Sequence, residues 1–405
     1  MQQSELDRLV RSAIEAHLGR AKQLQIIPGT AHAAVLVEPG RLELRQFALR
    51  EPLEGEILVR VEACGICGTD IHCYNGDPFG LCPVVLGHEG TGEVVALGKN
   101  VREDSVGHPI KVGDRIVTSV MKVSDACLIA KYNPTKANLC DDLQVYGLLA
   151  DEPDRPGKPG SGNHFNGYFA EYLIVRAGST FFIANELPLE LRVLMEPSVV
   201  CVHALERSRR AAANLLNFRS RVIVQGCGPI GLLMIAAVRA AGVNNVIAID
   251  GSAARLAMAR RMGADHLLNF KELGGSEGLA GAVNDLTKGL GAHFGFQCTG
   301  SPKAAANLFN LIRRGGGICE VGHFVDNGEC QINPHRDFCR KEITLVGSWV
   351  YNSFEYPNTY HFLRLAKRIG LPLEELITHR FRLDRITEAF ETAKGQQGIK
   401  VMVEP

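Results

Sequence analysis

The sequence predicts an α/β protein in which a doubly wound parallel sheet is joined to a second, β-rich region with the character of a barrel. From residue 221 onward, short apolar strands alternate with helical segments, a pattern typical of a parallel sheet with helices packed on it. From Ala33 to Val61, short alternations of apolar and polar residues stand between Gly and Pro, which is typical of a β-rich barrel. At 405 residues the chain is too long for one ordinary core and suits two domains.

Charge and hydropathy narrow the classes of partner. The 44 basic and 44 acidic residues cancel, so no whole-chain charge attracts nucleic acid or an anionic membrane, and a small-molecule partner is favoured. The longest apolar run, from Ile230 to Val238, is about half of the ~18 residues that a membrane span needs. The N-terminus has no apolar signal-peptide core, and we therefore expect a cytoplasmic location.

The cysteines show no spacing typical of a disulfide framework. Twelve of them are scattered between Cys64 and Cys339. In a large chain without a secretion signal, we expect such cysteines to be reduced thiols.

The first 30 residues contain one helical pattern. Leu6, Leu9, Val10, Ile14 and Leu18 recur at helical spacing among charged residues, which predicts an amphipathic helix. Its apolar face could pack on its own subunit or contact another subunit, and the sequence leaves both possibilities open.

The segment from Glu62 to Glu93 carries three metal-binding side-chain types. Cys67 supplies a thiolate, His88 an imidazole and Glu89 a carboxylate, in a stretch rich in Gly and Pro with few helix signals. Sulfur, imidazole and carboxylate together suit zinc, and three protein ligands leave the fourth tetrahedral position free, as in a catalytic site. The alternative is that these are ordinary buried residues with no metal role.

A glycine-rich loop stands between a predicted strand and a predicted helix. The strand covers residues 221–225 and the helix begins at Ile230, while Gly226, Gly228 and Gly231 form the pattern Gly-x-Gly-x-x-Gly, with Pro229 inside it. The first two glycines let backbone amides approach a pyrophosphate, and the third lets helix and strand pack closely. The loop therefore predicts a dinucleotide site.

The next strand predicts which dinucleotide is preferred. It covers residues 246–250 and ends in Asp250, where a carboxylate accepts hydrogen bonds from the ribose hydroxyls and repels a 2′-phosphate. We therefore expect NAD over NADP. Arg255 lies a few residues further on and is the one residue here that could approach a phosphate.

Several motifs together resemble a known family. Cys67-Gly-Thr-Asp70, His72, Gly87-His-Glu89 and the glycine loop stand in the order found in the zinc-dependent medium-chain dehydrogenase/reductase family, nearest to its polyol and threonine dehydrogenase branches. The resemblance runs from about Ala33 to the C-terminus. It implies a Rossmann NAD-binding domain at 196–340, a GroES-like catalytic domain at 31–195 and 341–405, and a homodimer or homotetramer.

The resemblance also implies roles for individual residues. Glu196, in Met195-Glu196-Pro197, stands where the polyol dehydrogenases have a glutamate, so it is a candidate metal ligand with Glu89 as its competitor, unless it only caps the following helix. Thr69 would hydrogen-bond the substrate oxygen, and His72 would relay its proton unless it is a plain surface histidine. The resemblance also implies that Cys298, Thr299 and Val321 lie beside the nicotinamide.

The activity implied is hydride transfer between a secondary alcohol, polyol-like or amino-alcohol, and NAD. Two other functions stay open at this point: a zinc-free NAD(P)-dependent reductase of activated double bonds, and a nucleotide-binding protein without turnover. Cys67, His88 and Glu196 together argue against the zinc-free reductase.

One segment departs from the family. Relatives often hold a second, structural zinc with four cysteines, but counting back from Cys140 by the family's spacing gives Tyr132, Ile129 and Ala126, and Cys127 is out of register. A single thiolate cannot close such a site, so we expect one zinc and a lobe held by apolar packing. The Pro- and Gly-rich residues 151–163 that follow predict an exposed loop, which could also border the substrate cleft.

Overall fold

The computed structural model describes residues 27–123, 126–141, 143–148 and 163–405. The helix predicted from Leu6 to Leu18 and nearly all of the loop predicted at 151–163 lie outside these residues. Within them, no helix combines the length and the apolar character required to cross a lipid bilayer.

The first region is β-rich, as the sequence predicts. Its strands are β1 Thr30–Glu38, β2 Arg41–Ala48, β3 Ile57–Gly65, β4 Val84–Val85, β5 Glu89–Leu97, β6 Arg115–Thr118, β7 Met121–Lys122, β8 Gln144–Val145, β9 Tyr172–Val175 and β10 Phe181–Ile183. The C-terminal strands β17 Ile377–Arg382 and β18 Lys400–Glu404 belong to the same region. The main sheet has seven strands in the order β10-β6-β5-β3-β18-β17, with β9 also paired to β3. Both ends of the chain therefore build this region.

Three short helices belong to the same part of the chain: α1 Gly68–Gly76, α2 Leu128–Tyr132 and α3 Leu189–Val193. The helix α1 corrects the expectation that the metal-binding segment has little regular helix. It forms because Cys67, at its N-cap, donates its backbone N–H to Asp70 Oδ2 at 2.8 Å, so that one early carboxylate satisfies an N-terminal amide that the helix itself leaves unpaired.

The second region is a parallel sheet with helices. Its six strands are β11 Arg221–Gln225, β12 Asn245–Asp250, β13 His266–Asn269, β14 Ala292–Gln297, β15 Ile312–Glu320 and β16 Thr344–Gly347, in the order β13-β12-β11-β14-β15-β16. The strand order changes direction between the neighbouring strands β11 and β14. In such sheets, ligands bind at that point, outside the carboxyl ends of the strands. The doubly wound fold predicted from the strand and helix alternation is confirmed.

Seven helices complete the described chain: α4 Met195–Ala211, α5 Pro229–Ala240, α6 Ala253–Arg261, α7 Ser276–Thr287, α8 Pro302–Leu311, α9 Tyr356–Arg368 and α10 Ile386–Lys394. Because α5 follows the central strand, nearly all of its apolar side chains are fully buried, and it packs against α4 and α9. The predicted domain limits at 195/196 and 340/341 stay predictions, and the parallel sheet itself continues past the second limit through β16.

Candidate metal centre and cofactor site

Cys67, His88 and Glu89 meet at one point. A sulfur, an imidazole nitrogen and a carboxylate oxygen from these residues all lie within 4.8 Å of one another. They meet because β3 and β5 are antiparallel neighbours in which Gly65 faces Glu89, and Cys67 follows just after β3 ends. A Cβ at position 65 would lie 2.4 Å from Glu89 Oε2, so glycine is needed there to leave room for the carboxylate.

Asp70 lies next to His88 and orients its imidazole ring within the cluster. Its second oxygen, Oδ1, lies 3.5 Å from His88 Nδ1, and both atoms are buried without a closer partner. An Nδ1–H directed at Asp70 leaves the other ring nitrogen of His88 unprotonated and free to bind a metal. Burial by itself would lower the pKa of His88, but the negative groups of Asp70 and Cys67 raise that pKa well above its usual value. The same negative groups that favour a proton on His88 also favour a metal cation beside it.

The side chain of Lys400 contacts the carboxylate of Glu89. The two side chains form an ion pair in the interior, with 3% and 1% of their side-chain surfaces exposed, and Lys400 Nζ also donates to the Ile66 carbonyl at 3.1 Å. Burial opposes the charge on Lys400, but the Glu89 carboxylate raises the pKa of the lysine above its ordinary value. Lys400 could not be predicted from the sequence, because nothing local marks a lysine in a C-terminal strand as a partner of residue 89.

Glu196 lies in the first turn of α4 and faces the same cavity as the cluster, but its carboxylate is not one of the three atoms that meet within 4.8 Å. Burial and the nearby Glu89 raise the pKa of Glu196 to about 7, against the opposing influence of His88. The buried Tyr351 hydroxyl lies near Glu196 and acts to lower its pKa, and it accepts the Val120 backbone N–H at 3.3 Å. Sequence reasoning missed Tyr351, since an isolated tyrosine gives no such signal.

The donor set suits zinc. Thiolate, imidazole and carboxylate are the ligand types that zinc accepts, and three of them leave one position free for a substrate oxygen. Among the residues that the structure describes, this is the one group of His, Cys, Asp and Glu side chains close enough to hold an ion.

The two residues predicted to act on the substrate face the same cavity. Thr69 is buried, with its Oγ1 3.8 Å from the sulfur of Cys67. His72 lies one turn further along α1, is exposed, and lines the rim of the cavity. Their positions fit the roles predicted for them, which stay predictions.

The glycine loop has the geometry of a phosphate cradle. Gly226 has φ +94°, and a Cβ at Gly231 would lie 1.7 Å from the Gly226 carbonyl oxygen, so neither position tolerates a larger residue. By contrast, a Cβ at Gly228 would meet nothing within 4 Å. This open space lies at the N-terminus of α5, where Pro229 is the first helical residue, and backbone amides there can approach an anion.

Asp250 ends β12 beside this loop. Its carboxylate accepts the backbone N–H of Cys227 at 2.7 Å and of Ser252 at 2.8 Å, so it fixes the loop. Its contact with a ribose stays a prediction. Arg255, in α6, donates to Gln396 Oε1 at 3.3 Å.

The remaining predicted cofactor residues follow the carboxyl ends of β14 and β15. Cys298 and Val321 line the cavity with Ile230, and the Thr299 backbone N–H donates to Gln297 Oε1 at 2.6 Å. The cavity has a volume of about 280 Å³ and extends from the glycine loop to the metal cluster. A nicotinamide bound along the carboxyl ends of the strands would therefore reach the metal ligands.

The lobe at 126–141 corrects an expectation about cysteine. Cys127 and Cys140 form a disulfide bond, whereas the sequence analysis predicted reduced thiols throughout. The lobe is not held by apolar packing either, since Leu128 and Tyr132 expose 65% and 86% of their surfaces. The two cysteines are 13 positions apart, and a single pair of this kind gives no framework pattern in the sequence.

Comparison with known proteins identifies the family. Residues 53–185 match the alcohol dehydrogenase GroES-like domain, and residues 229–367 match the zinc-binding dehydrogenase domain. A D-arabitol-phosphate dehydrogenase from Enterococcus avium is 30% identical over 364 residues, which cover 88% of this chain and 92% of the relative. The chain belongs to the zinc-dependent medium-chain dehydrogenase family.

Further relatives of this medium-chain dehydrogenase agree with that assignment. A sorbitol dehydrogenase from Bacillus subtilis is 30% identical over 385 residues, covering 94% of this chain and 98% of the relative. An alcohol dehydrogenase from Thermotoga maritima superimposes with a TM-score of 0.83 at 29% identity, covering 93% of this chain and 99% of that structure. The protein is thus an alcohol or polyol oxidoreductase that uses zinc and a nicotinamide cofactor. The two alternative functions of the sequence analysis are not supported.

Proposed function

We propose that this chain is a zinc- and NAD-dependent dehydrogenase of a secondary alcohol, with Cys67, His88 and Glu89 as the metal ligands. The observation that carries the proposal is that these three side chains converge on the cavity that Ile230, at the glycine loop, and Val321 also line. A metal-held hydroxyl and a nicotinamide ring can therefore occupy one enclosed space.

Each nearby residue has a task in that reaction. Zinc held by Cys67, His88 and Glu89 would supply a Lewis acid that lowers the pKa of the substrate hydroxyl, and a nicotinamide beside Val321 would supply the hydride acceptor. Thr69 holds the hydroxyl by a hydrogen bond, since its own hydroxyl lies beside the sulfur of Cys67. His72 takes the released proton to solvent, because it lines the cavity and is also exposed.

Between the two candidate glutamates, we assign the direct ligand to Glu89. It belongs to the group of three atoms that meet within 4.8 Å, and Lys400 offsets its charge. We place Glu196 outside the group of direct metal ligands, where its carboxylate can hydrogen-bond a water molecule or the substrate.

NAD is the proposed cofactor in preference to NADP. Asp250 ends the strand that follows the glycine loop, and a carboxylate at that position repels a 2′-phosphate. Arg255 donates a hydrogen bond to Gln396 Oε1 at 3.3 Å.

A homodimer is the proposed assembly. The strand β16 forms one edge of the parallel sheet, and Leu345 in its middle exposes 50% of its surface. An edge strand with an exposed apolar side chain favours pairing with a second copy. Light scattering coupled to size-exclusion chromatography would show a dimer that Leu345→Lys weakens, and a wild-type monomer would refute this assembly.

The proposed activity is tested by NADH formation. Purified, zinc-loaded protein should reduce NAD with a secondary alcohol, a strong zinc chelator should abolish turnover, and added zinc should restore it. Turnover that continues in metal-free protein would contradict the proposed function.

A further inference from the structure

Phe79, Phe324 and Trp349 form one cluster of aromatic rings, in which Phe324 and Trp349 line the substrate cavity and Phe79 packs against Phe324. These residues come from three separate parts of the chain: the loop after α1, the loop after β15 and the loop after β16. The rings of Phe324 and Trp349 are stacked, with centroids 4.8 Å apart and planes at 12°. Phe79 meets Phe324 edge-on at 6.4 Å. We call this group the aromatic wall.

The aromatic wall faces the reaction site while remaining open to solvent. Phe324 and Trp349 line the same cavity as Cys67, His88 and Glu196. Trp349, the single tryptophan of the chain, exposes 43% of its surface, as does Phe79. Large aromatic side chains left exposed in a concave site favour an apolar occupant, since covering them removes apolar surface from water.

The position of Trp349 is fixed by its backbone. Its carbonyl oxygen accepts the side-chain N–H of Asn138 at 2.7 Å, and Asn138 Oδ1 in turn receives Asn352 Nδ2 at 3.2 Å. The disulfide-linked lobe therefore holds the loop that carries the indole. A ring placed by such contacts is preorganised for binding, so little ordering entropy remains to be lost when a ligand packs on it.

The rest of the described lining is mostly apolar, and its polar side chains other than the metal cluster and Glu196 are Thr69, His72, His323, Asn327 and Ser348. The described residues that line it include no Lys and no Arg, and its carboxylates are Glu89 and Glu196. Lys400 lies beneath Glu89, buried and paired, and does not line the cavity. Among these described lining residues, a phosphate group would thus meet two carboxylates and no Lys or Arg. The aliphatic side chains that line the cavity together with the aromatic wall include Val145, Leu148, Val325 and Val350.

From this lining we infer that the substrate is a neutral secondary alcohol whose carbinol carbon bears an aromatic or bulky apolar group that packs on Phe324 and Trp349. This inference rests on the proposed function, since it names the substrate class of the same site. Neutral polyols and sugar-alcohol phosphates are disfavoured because their hydroxyl and phosphate groups would lose hydration without gaining enough partners.

The test compares alcohols on zinc-loaded enzyme with NAD. We expect kcat/KM for 1-phenylethanol to exceed that for sorbitol and for sorbitol 6-phosphate by about tenfold or more. Higher kcat/KM for sorbitol or its phosphate would overturn the inference while leaving the proposed function intact. Absence of turnover with all three alcohols and with propan-2-ol would overturn the proposed function and the inference together.

Variants of Trp349 test whether the preference for an aromatic alcohol depends on the aromatic wall. Trp349→Ala should lower the ratio of kcat/KM for 1-phenylethanol to that for propan-2-ol by about tenfold, and Trp349→Phe, which keeps a ring, should restore most of it. Phe218→Ala removes an aromatic ring that is 70% exposed and does not line the cavity, and it should keep the wild-type ratio. An unchanged ratio in Trp349→Ala would contradict the assignment.

Discussion

Lys400 and Glu89 form a buried ion pair although 311 positions separate them in the sequence. The pair joins the last strand, β18, to the first residue of β5, directly beneath the proposed metal ligands. It places a positive charge beside a carboxyl group that is 1% exposed and that has a second carboxyl group, Glu196, nearby. The positive charge of Lys400 offsets what would otherwise be an excess of negative charge in the protein interior.

Lys400→Met should destabilise the protein strongly. Removing one partner of a buried ion pair leaves the other charge uncompensated and costs about 3 to 5 kcal/mol. The matched control is Lys367→Met, since the pair between Lys367 and Glu374 spans 2.9 Å but exposes 57% and 31% of its side-chain surfaces. An exposed pair of this kind contributes about 1 kcal/mol or less. Urea denaturation of both variants measures the difference, and equal losses would refute the role given to Lys400.

Asp250→Ser should weaken the preference for NAD. The serine cannot accept both ribose hydroxyls and no longer repels a 2′-phosphate, so the ratio of kcat/KM for NAD to that for NADP should fall by about tenfold or more. Asp285→Ser, on the exposed side of α7, should keep the wild-type ratio. Steady-state kinetics with both dinucleotides checks this, and the assignment fails if the two variants behave alike.

His293 should make the protein less stable in acid. Burial, together with the nearby Arg313 and Arg221, lowers the pKa of His293, and its Nδ1 accepts the Arg221 backbone N–H at 3.1 Å. A histidine whose pKa is lower in the folded than in the unfolded protein binds more protons when unfolded, so stability falls as the pH drops below about 6.5. Replacement by a residue that does not titrate should remove this contribution.

The measurement is thermal denaturation between pH 7.5 and pH 5.5. His293→Gln should lose less stability over this interval than the wild type, whereas His335→Gln, at an exposed position, should follow the wild type. Identical pH slopes in the wild type and His293→Gln would show that His293 does not titrate differently on folding.

The disulfide should be detectable as missing thiols. With Cys127 joined to Cys140, the other cysteines are free, so unfolded, unreduced protein should react with Ellman's reagent at ten of its twelve cysteines. Cys140→Ser should destabilise the lobe, because a bond that closes a loop of about 15 residues contributes about 3 kcal/mol. Cys330→Ser, at an exposed free cysteine, should have little effect. Twelve reactive thiols would contradict the bond and support the reduced state that the sequence predicts.

Much of the parallel sheet could be predicted from the sequence because its signals are local. The strand at 221–225, the glycine loop and the strand ending in Asp250 are consecutive, and the structure places β11 and β12 there. The convergence of Cys67, His88 and Glu89 could also be anticipated, because all three stand in one segment. Their roles, in contrast, rest on chemistry and still await measurement.

The missed features depend on contacts between distant parts of the chain. Lys400, Tyr351 and Trp349 reach the site only through the pairing of β18 with β3 and the packing of the loop after β16. The helix α1 was missed because its stabilising contact, from the Cys67 amide to the Asp70 carboxylate, lies within a run of residues with weak helical preference. The disulfide was missed for another reason: its two cysteines are only 13 positions apart, but they stand in a chain predicted to be reduced.

The central claim is that one zinc ion, held by Cys67, His88 and Glu89, is required for turnover. The most direct test is to measure zinc per chain by inductively coupled plasma mass spectrometry, together with NADH formation, in the wild type, Cys67→Ser and the control Cys330→Ser. We predict one zinc and full activity in the wild type and the control, and loss of zinc with a fall in kcat of about a thousandfold or more in Cys67→Ser. A Cys67→Ser protein that turns over normally without zinc would contradict the account.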